Sequence, residues 1–257
     1  MNPEIIELAF EQFPGRPASF SFVLVHGWAR SHTDWEPVLD GLRDIAPAVA
    51  VDLRGHGASR PGAGMRLPQV TADVRAVIER LGLTRVVLVG HSAGAEVAAF
   101  LARQEPELVA GLVVIDPAFG LPDDDRPRIE TIAERLRTED PITIAAEHFA
   151  KSGPSPLPLS DGPVAATPEA IRDLFTDFAF APEALHFQTQ TAAFFAGFPT
   201  PVLAFYRNTD RAHLARKVLP TPDIRVLPGG HWTHHEHPAE VVSSIAGWTR
   251  RLERKAN

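Results

Sequence analysis

Two hydrophobic rhythms alternate along this chain. Short, mostly apolar runs of four to six residues recur at positions 20–25, 48–52, 85–89, 112–116, 201–206 and 224–227. Between them, apolar residues return every three or four positions. Runs of the first kind predict strands buried on both faces, and the second kind predicts helices with one apolar face. Trp35, Val38, Leu39, Leu42 and Ile45 share one such face. Val70, Val74, Val77, Ile78 and Leu81 share another, which Gly82 terminates, and Val241, Val242, Ile245, Trp248 and Leu252 mark a closing helix. Residues 4–10 alternate apolar and polar and predict an edge strand. Strands interleaved with amphipathic helices predict an α/β fold: a doubly wound, mostly parallel sheet with helices on both faces.

The rhythm breaks after Pro117. From residue 119 to 198 no buried-strand run appears, only helical patches and a stretch at 151–168 rich in Pro, Ser and Gly. Pro154, Pro156, Pro158, Pro163 and Pro168 preclude a continuous helix there. A linker between two domains is one reading. Because strand grammar resumes at Val202, the better one is an inserted helical lid at 119–198, with the core formed by 1–118 and 199–257. Eight of the fifteen phenylalanines, Phe149, Phe175, Phe178, Phe180, Phe187, Phe194, Phe195 and Phe198, fall between residues 145 and 200, either as the insertion's own core or as an apolar roof over a site. His186 and Gln188 could add polar contacts, but nothing in the sequence aims them at a pocket.

Chemistry concentrates where predicted strands end. Gly90-His91-Ser92-Ala93-Gly94 follows the apolar run 86–89 and precedes an alanine-rich helical stretch at 93–101. This is the G-x-S-x-G pattern, which sets a serine on a tight strand-to-helix turn with a helix N-terminus behind it. A serine needs a base to take its proton, and the base needs a carboxylate to hold its tautomer. His231, in Pro228-Gly229-Gly230-His231-Trp232, follows the last predicted strand and is the candidate base. Two acids compete for the third place. Asp210 lies in the loop after the strand at 201–206 and is the favoured choice; Asp116 ends the strand at 112–116, where an Asp-Pro also serves as a plain turn.

With His26-Gly27-Trp28, the segment Asp52-Leu53-Arg54-Gly55-His56-Gly57-Ala58-Ser59, and Gly230-His231-Trp232 followed by Glu236 and Pro238, the chain resembles the α/β-hydrolase fold superfamily, of the small lidded serine hydrolase and esterase type. The resemblance covers nearly the whole length outside the insertion. It implies a catalytic set of Ser92, His231 and Asp210, with an oxyanion hole from the backbone N–H groups of Trp28 and Ala93. It also implies hydrolysis of a small hydrophobic ester, lactone or related carbonyl compound through an acyl-enzyme. In relatives the acid loop reads Gly-x-x-Asp; here Arg207 stands in the glycine's place. Dehalogenases and epoxide hydrolases of this fold carry an aspartate at the elbow, so Ser92 argues against both. C–C bond hydrolysis, cofactor-free ring-cleaving oxygenation through a His–Asp pair, and a non-catalytic ligand receptor remain as alternatives.

Composition narrows the partners. Lys and Arg number 25 against 32 Asp and Glu, a net charge of −7, which disfavours nucleic acid or an anionic membrane. The chain has no cysteine, hence no disulfide and no thiolate ligand. His231, His234, His235 and His237 crowd one segment without H-E-x-x-H, so no metal is expected there, and the three other than His231 are expected on the exposed start of the closing helix. His26 and His56 are expected to brace turns, and His91 to be structural. Residues 52–59 lack a phosphate-loop pattern. The first residues lack a secretion signal, so a cytoplasmic location is expected. No cofactor is expected; the partner is a small hydrophobic substrate, and a homodimer is open.

Overall fold

The computed structural model describes residues 4–153, 164–219 and 222–256. Pro154, Pro156, Pro158 and Pro163 therefore lie outside the described residues. Seven strands form one sheet: β1 (Phe10–Phe13), β2 (Ser21–Val25), β3 (Ala48–Val51), β4 (Val86–His91), β5 (Val109–Ile115), β6 (Val202–Tyr206) and β7 (Asp223–Val226). Their order is β1-β3-β2-β4-β5-β6-β7, parallel throughout except that β1 runs antiparallel to β3. The helices before β5 are α1 (Glu36–Arg43), α2 (Leu67–Arg80) and α3 (Ala93–Gln104), and those after β6 are α8 (Thr209–Val218), the single turn α9 (Thr233–Glu236) and α10 (Pro238–Ala256). No helix among the described residues is long and apolar enough to cross a membrane.

The period of two along each central strand divides the core into two layers. Val23, Val25, Leu88, Leu112 and Val114 face the cluster that includes residues of α2 and α3. Phe22, Leu24, Val87, Val89, Val113 and Ile115 face the other, with Val38 and Leu42 of α1 and Val241, Ile245 and Trp248 of α10. Each fully buried Val, Leu, Ile or Phe contributes about 1.5–3 kcal/mol of apolar burial. This two-sided covering is why β2, β4, β5 and β6 read as unbroken apolar runs.

Two expectations shift. The ladder of β1 begins at Phe10 rather than spanning 4–10. The alternation before it buries Ile6 and Leu8 in the core without strand pairing, and the Ile6 N–H donates to Asp73 Oδ1 at 2.7 Å. The loop expected around residues 207–210 is cut short, because Asn208 caps a helix whose first residue is Thr209.

Between β5 and β6 the described residues form four helices, α4 (Arg126–Thr138), α5 (Pro141–Lys151), α6 (Pro168–Phe180) and α7 (Gln188–Phe195), and no ladder strand. Proline occupies the first turn of α4, α5 and α6, where its missing N–H costs nothing.

Candidate active site

A parallel sheet delivers the C-terminal ends of its strands to one edge. Here β2 ends at His26-Gly27-Trp28, β4 at Ser92, β5 at Asp116 and β6 at Arg207, with β2 and β4 adjacent where the strand order reverses. Such a switch point is where open α/β sheets bind ligands.

Ser92 sits at φ 52°, ψ −120°, between the last residue of β4 and the first of α3. This left-handed conformation is costly for a residue with a Cβ, and the surroundings enforce it. The Ser92 N–H donates to Ile115 O at 3.1 Å, and the Ser92 carbonyl accepts from Ala95 and Ala118. The glycines of the elbow serve close approach: a Cβ on Gly94 would lie 2.2 Å from Val25 O, and one on Gly90 would lie 2.5 Å from Gly94 O. With side chains there, α3 could not dock beside β2.

Ser92 Oγ lies 2.9 Å from His231 Nε2, and His231 Nδ1 lies 2.6 Å from Asp116 Oδ2. The structure thus gives Asp116, not Asp210, as the carboxylate on His231. Asp116 follows β5 at φ 36°, with its N–H donated to Phe205 O at 2.8 Å. Asp210 falls in the first turn of α8, exposed to solvent, its carboxylate without a hydrogen bond or ion pair to any described residue. The cause is local: Asn208 Oδ1 accepts the Arg211 N–H at 2.9 Å and starts the helix, carrying Asp210 away from the sheet edge. Arg207, the departure from the relatives' glycine, places Nε 3.5 Å from Asp116 Oδ2. An acid at the end of β5 leaves the β6 loop free to carry a cation that steadies it.

The His231 loop is held from three sides. Its N–H donates to Ser152 O at 2.8 Å, its carbonyl lies 3.1 Å from His91 Nε2, and the preceding Gly230 N–H donates to the Glu236 carboxylate at 2.8 Å. A Cβ on Gly229 would lie 2.4 Å from Glu236 Oε2, so the glycines let the loop fold onto this carboxylate. Burial lowers the His231 pKa, with His91 and Arg207 adding to the fall and Asp116 opposing it. For Asp116, burial would raise the pKa, but the His231 hydrogen bond and the charges of Arg207 and Arg211 bring it below the ordinary carboxylate value. A neutral imidazole on a hydroxyl, anchored by an ionised carboxylate, is poised to accept the hydroxyl proton.

Trp28 and Ala93 flank Ser92, and neither backbone N–H has an acceptor among the described residues. Two free donors beside a nucleophile suit an anionic oxygen. The Trp28 indole is engaged elsewhere, donating from Nε1 to Ile171 O of α6 at 2.7 Å.

The remaining histidines divide by partner. His26 Nε2 accepts the Leu53 N–H and His56 Nε2 accepts the Ala29 N–H, while their Nδ1 atoms face the carbonyls of Gly27 and Arg54. Both brace turns as neutral rings, and burial pushes His56 down to about 3. His234 and His235 are not on an exposed helix start. They are buried against Asp34, with His91 on the same carboxylate, because the single turn α9 folds back under the site. Burial would raise the Asp34 pKa, but these three rings and Arg30 hold it well below the ordinary carboxylate value. Asp34, His234 and His235 bring potential metal-ligand atoms within 4.8 Å of one another. Arg30 Nε, 3.0 Å from Asp34 Oδ1, would set a positive charge against any cation there.

A cavity of about 1070 Å³ opens above Ser92. Ile129 and Ile132 of α4, Ile144 of α5, and Leu174, Phe175 and Phe178 of α6 give it apolar walls, and Arg207, Arg128 and Lys151 line it as well. Only Phe175 and Phe178 of the eight clustered phenylalanines face it; Phe194, Phe195 and Phe198 pack on one another, and Phe187 packs against Phe180. Aromatic bulk here is mostly core. Sequence reasoning missed Glu96 and Arg211. A carboxylate four residues after the serine, in an otherwise alanine-rich turn, was the available signal for the first.

The family model described as "Alpha/beta hydrolase family" matches residues 22–244. The chain is 24% identical over 266 aligned positions to the sn-1-specific diacylglycerol lipase ABHD11 of Xenopus tropicalis, covering 95% of this chain and 82% of the lipase. It is 28% identical over 251 positions to the 2-succinyl-6-hydroxy-2,4-cyclohexadiene-1-carboxylate synthase of Salmonella paratyphi C, covering 92% and 96% of the two chains. Among solved structures, a thermophilic esterase from Thermogutta terrifontis superposes with a TM-score of 0.79 at 26% identity, over 96% of this chain and 94% of the esterase.

Proposed function

Since the chain belongs to the alpha/beta hydrolase family, we propose that it is a serine hydrolase acting on a small, largely apolar ester or lactone through an acyl-enzyme. The observation that carries this reading is the run of contacts from Ser92 Oγ through His231 to Asp116, at 2.9 and 2.6 Å. Ser92 attacks the substrate carbonyl as His231 Nε2 takes its proton, and Asp116 balances the imidazolium that forms. The carbonyl oxygen becomes an anion facing the free N–H groups of Trp28 and Ala93. His231 then returns the proton to the leaving alcohol and later draws one from water, which frees the acid and restores Ser92. The helices of the insertion act as a lid whose apolar walls exclude water from the acyl group. A lipase and an esterase among the similar proteins support ester chemistry, and a serine at the elbow favours it over halide displacement or epoxide opening.

The position of Asp116 favours one second reading. A His231–Asp116 pair could deprotonate an aromatic substrate directly, for cofactor-free oxygenation. The two readings part on Ser92. Hydrolysis of short- and medium-chain p-nitrophenyl esters and lactones, measured for the wild type and Ser92→Ala, is expected to fall to background in the variant. Oxygen-consuming turnover that survives Ser92→Ala would overturn the hydrolase reading.

A further inference from the structure

Inside the same cavity lies a second carboxylate–imidazole pair that the proposed reaction does not use. Glu96 is fully buried in the first turn of α3, four residues past Ser92, which places it about 6 Å further along the helix axis. His186, 8% exposed, reaches it from the segment joining α6 to α7, with Nδ1 3.4 Å from Glu96 Oε1. Both residues line the cavity. Their outer atoms, Glu96 Oε2 and His186 Nε2, are buried and have no partner among the described residues.

A buried polar atom without a partner is costly, and a pair with two such atoms is not explained by packing. Nor is the pair loosely held. The His186 carbonyl accepts the Leu121 N–H at 2.9 Å, the Gln188 N–H donates to Leu121 O at 2.7 Å, and the ring stands edge-on to Phe187 and Phe175. Burial raises the Glu96 pKa, while His186 and the Leu185 backbone N–H pull it back, so the carboxyl group is poised to share a proton.

We propose that Glu96 and His186 form a specificity subsite that recognises a neutral hydroxyl at the far end of the substrate's acyl group. This rests on the serine-hydrolase reading for where the acyl group lies. With Glu96 Oε1 holding a proton towards His186 Nδ1, Oε2 accepts and Nε2–H donates, so a hydroxyl can donate to the one and accept from the other at once. A methyl group leaves both empty, and a carboxylate has no hydrogen to give Oε2. Sites built to hydrogen-bond a hydroxyl reject the analogue lacking it far more strongly than apolar pockets reject an extra one.

The test uses p-nitrophenyl esters of 4-hydroxyphenyl-, 4-methylphenyl- and 4-carboxyphenyl-alkanoic acids with linkers of increasing length. In the wild type, kcat/KM for the hydroxyl ester is expected to exceed that of the methyl ester by about 10-fold or more at the best linker. In Glu96→Leu/His186→Phe this ratio is expected to fall to one or below. His186→Phe alone, which keeps a ring but removes the donor at Nε2, is expected to lose most of the preference should the double variant not fold. A wild-type preference for methyl or carboxyl at every linker, or a ratio unchanged in the variants, overturns the subsite. If no ester is hydrolysed, the hydrolase reading fails by itself. The subsite is then tested by binding of methyl 3-(4-hydroxyphenyl)propanoate against its 4-methylphenyl counterpart to Ser92→Ala, where equal affinity overturns it.

Discussion

Replacing Asp116 by asparagine separates the carboxylate that touches His231 from the one the sequence favoured. Asp116 Oδ2 sits 2.6 Å from His231 Nδ1, the length of a strong charge-assisted bond, and its side chain is almost wholly buried. Two losses follow in the Asp116→Asn protein. An amide can offer its NH₂ to Nδ1, which moves the ring proton to Nε2 and points it at Ser92 Oγ, so that the base is blocked. The imidazolium formed during attack also loses its counter-charge. At about 4 Å between charge centres and an effective dielectric constant near 20, that attraction is about 4 kcal/mol. At about 1.4 kcal/mol per decade, kcat/KM is expected to fall about 10³-fold. Asp210→Asn removes an exposed carboxylate with no partner among the described residues and is expected to change kcat/KM by less than about twofold. Steady-state hydrolysis of a p-nitrophenyl ester, with thermal unfolding as a control for folding, measures both. Near-wild-type activity in Asp116→Asn, or a hundredfold loss in Asp210→Asn, would refute the reasoning.

Three further outcomes are expected. Because burial, His91 and Arg207 lower the His231 pKa, kcat/KM should rise with pH and level off, with its inflection below the ordinary histidine value of about 6.5; an inflection above 7 in a pH–rate profile contradicts this. His56 and His234 are pushed down to about 3 and His148 to about 4, chiefly by burial. The unfolded chain therefore takes up protons that the folded one does not. Stability should hold above pH 6.5 and decline as pH drops towards 4, a trend urea titrations at stepped pH would show and a flat profile would deny. Arg54 is fully buried, bonded through Nε and Nη2 to Asp73 at 2.6 and 2.9 Å; Arg54→Ala strands that carboxylate and should cost about 3–5 kcal/mol by chemical denaturation, whereas a loss below about 1 kcal/mol would show the pair to be dispensable.

Legibility in the sequence followed the physics of each element. The central strands could be read because a sheet covered on both faces demands unbroken apolar runs, and Val86–Val89 or Val202–Phe205 offer nothing else. Ser92 and His231 could be read because glycines mark the turns that carry them. The carboxylate could not be ranked correctly, since Asp116 and Asp210 both follow strands and differ only in what the next residues do. Asn208 as a helix cap was the deciding residue, and Arg207 in a glycine's place was a sign of the moved acid rather than a defect. Residues 4–9 bury Ile6 and Leu8 as their alternation promised, yet no neighbouring strand extends to pair with them. The buried pairs of Asp34 with His91, His234 and His235, and of Glu96 with His186, join residues far apart in sequence. Only the fold brings them together, so no local pattern announces them.

The central claim is that the Ser92 oxygen is made nucleophilic by His231. Intact-mass and peptide analysis after exposure to a fluorophosphonate tests it without knowledge of the natural substrate. A single adduct on Ser92 is expected in the wild type at pH 8, none in Ser92→Ala, and labelling slowed by about 100-fold or more in His231→Ala. An unlabelled wild-type protein, or an adduct that persists in Ser92→Ala, would contradict it.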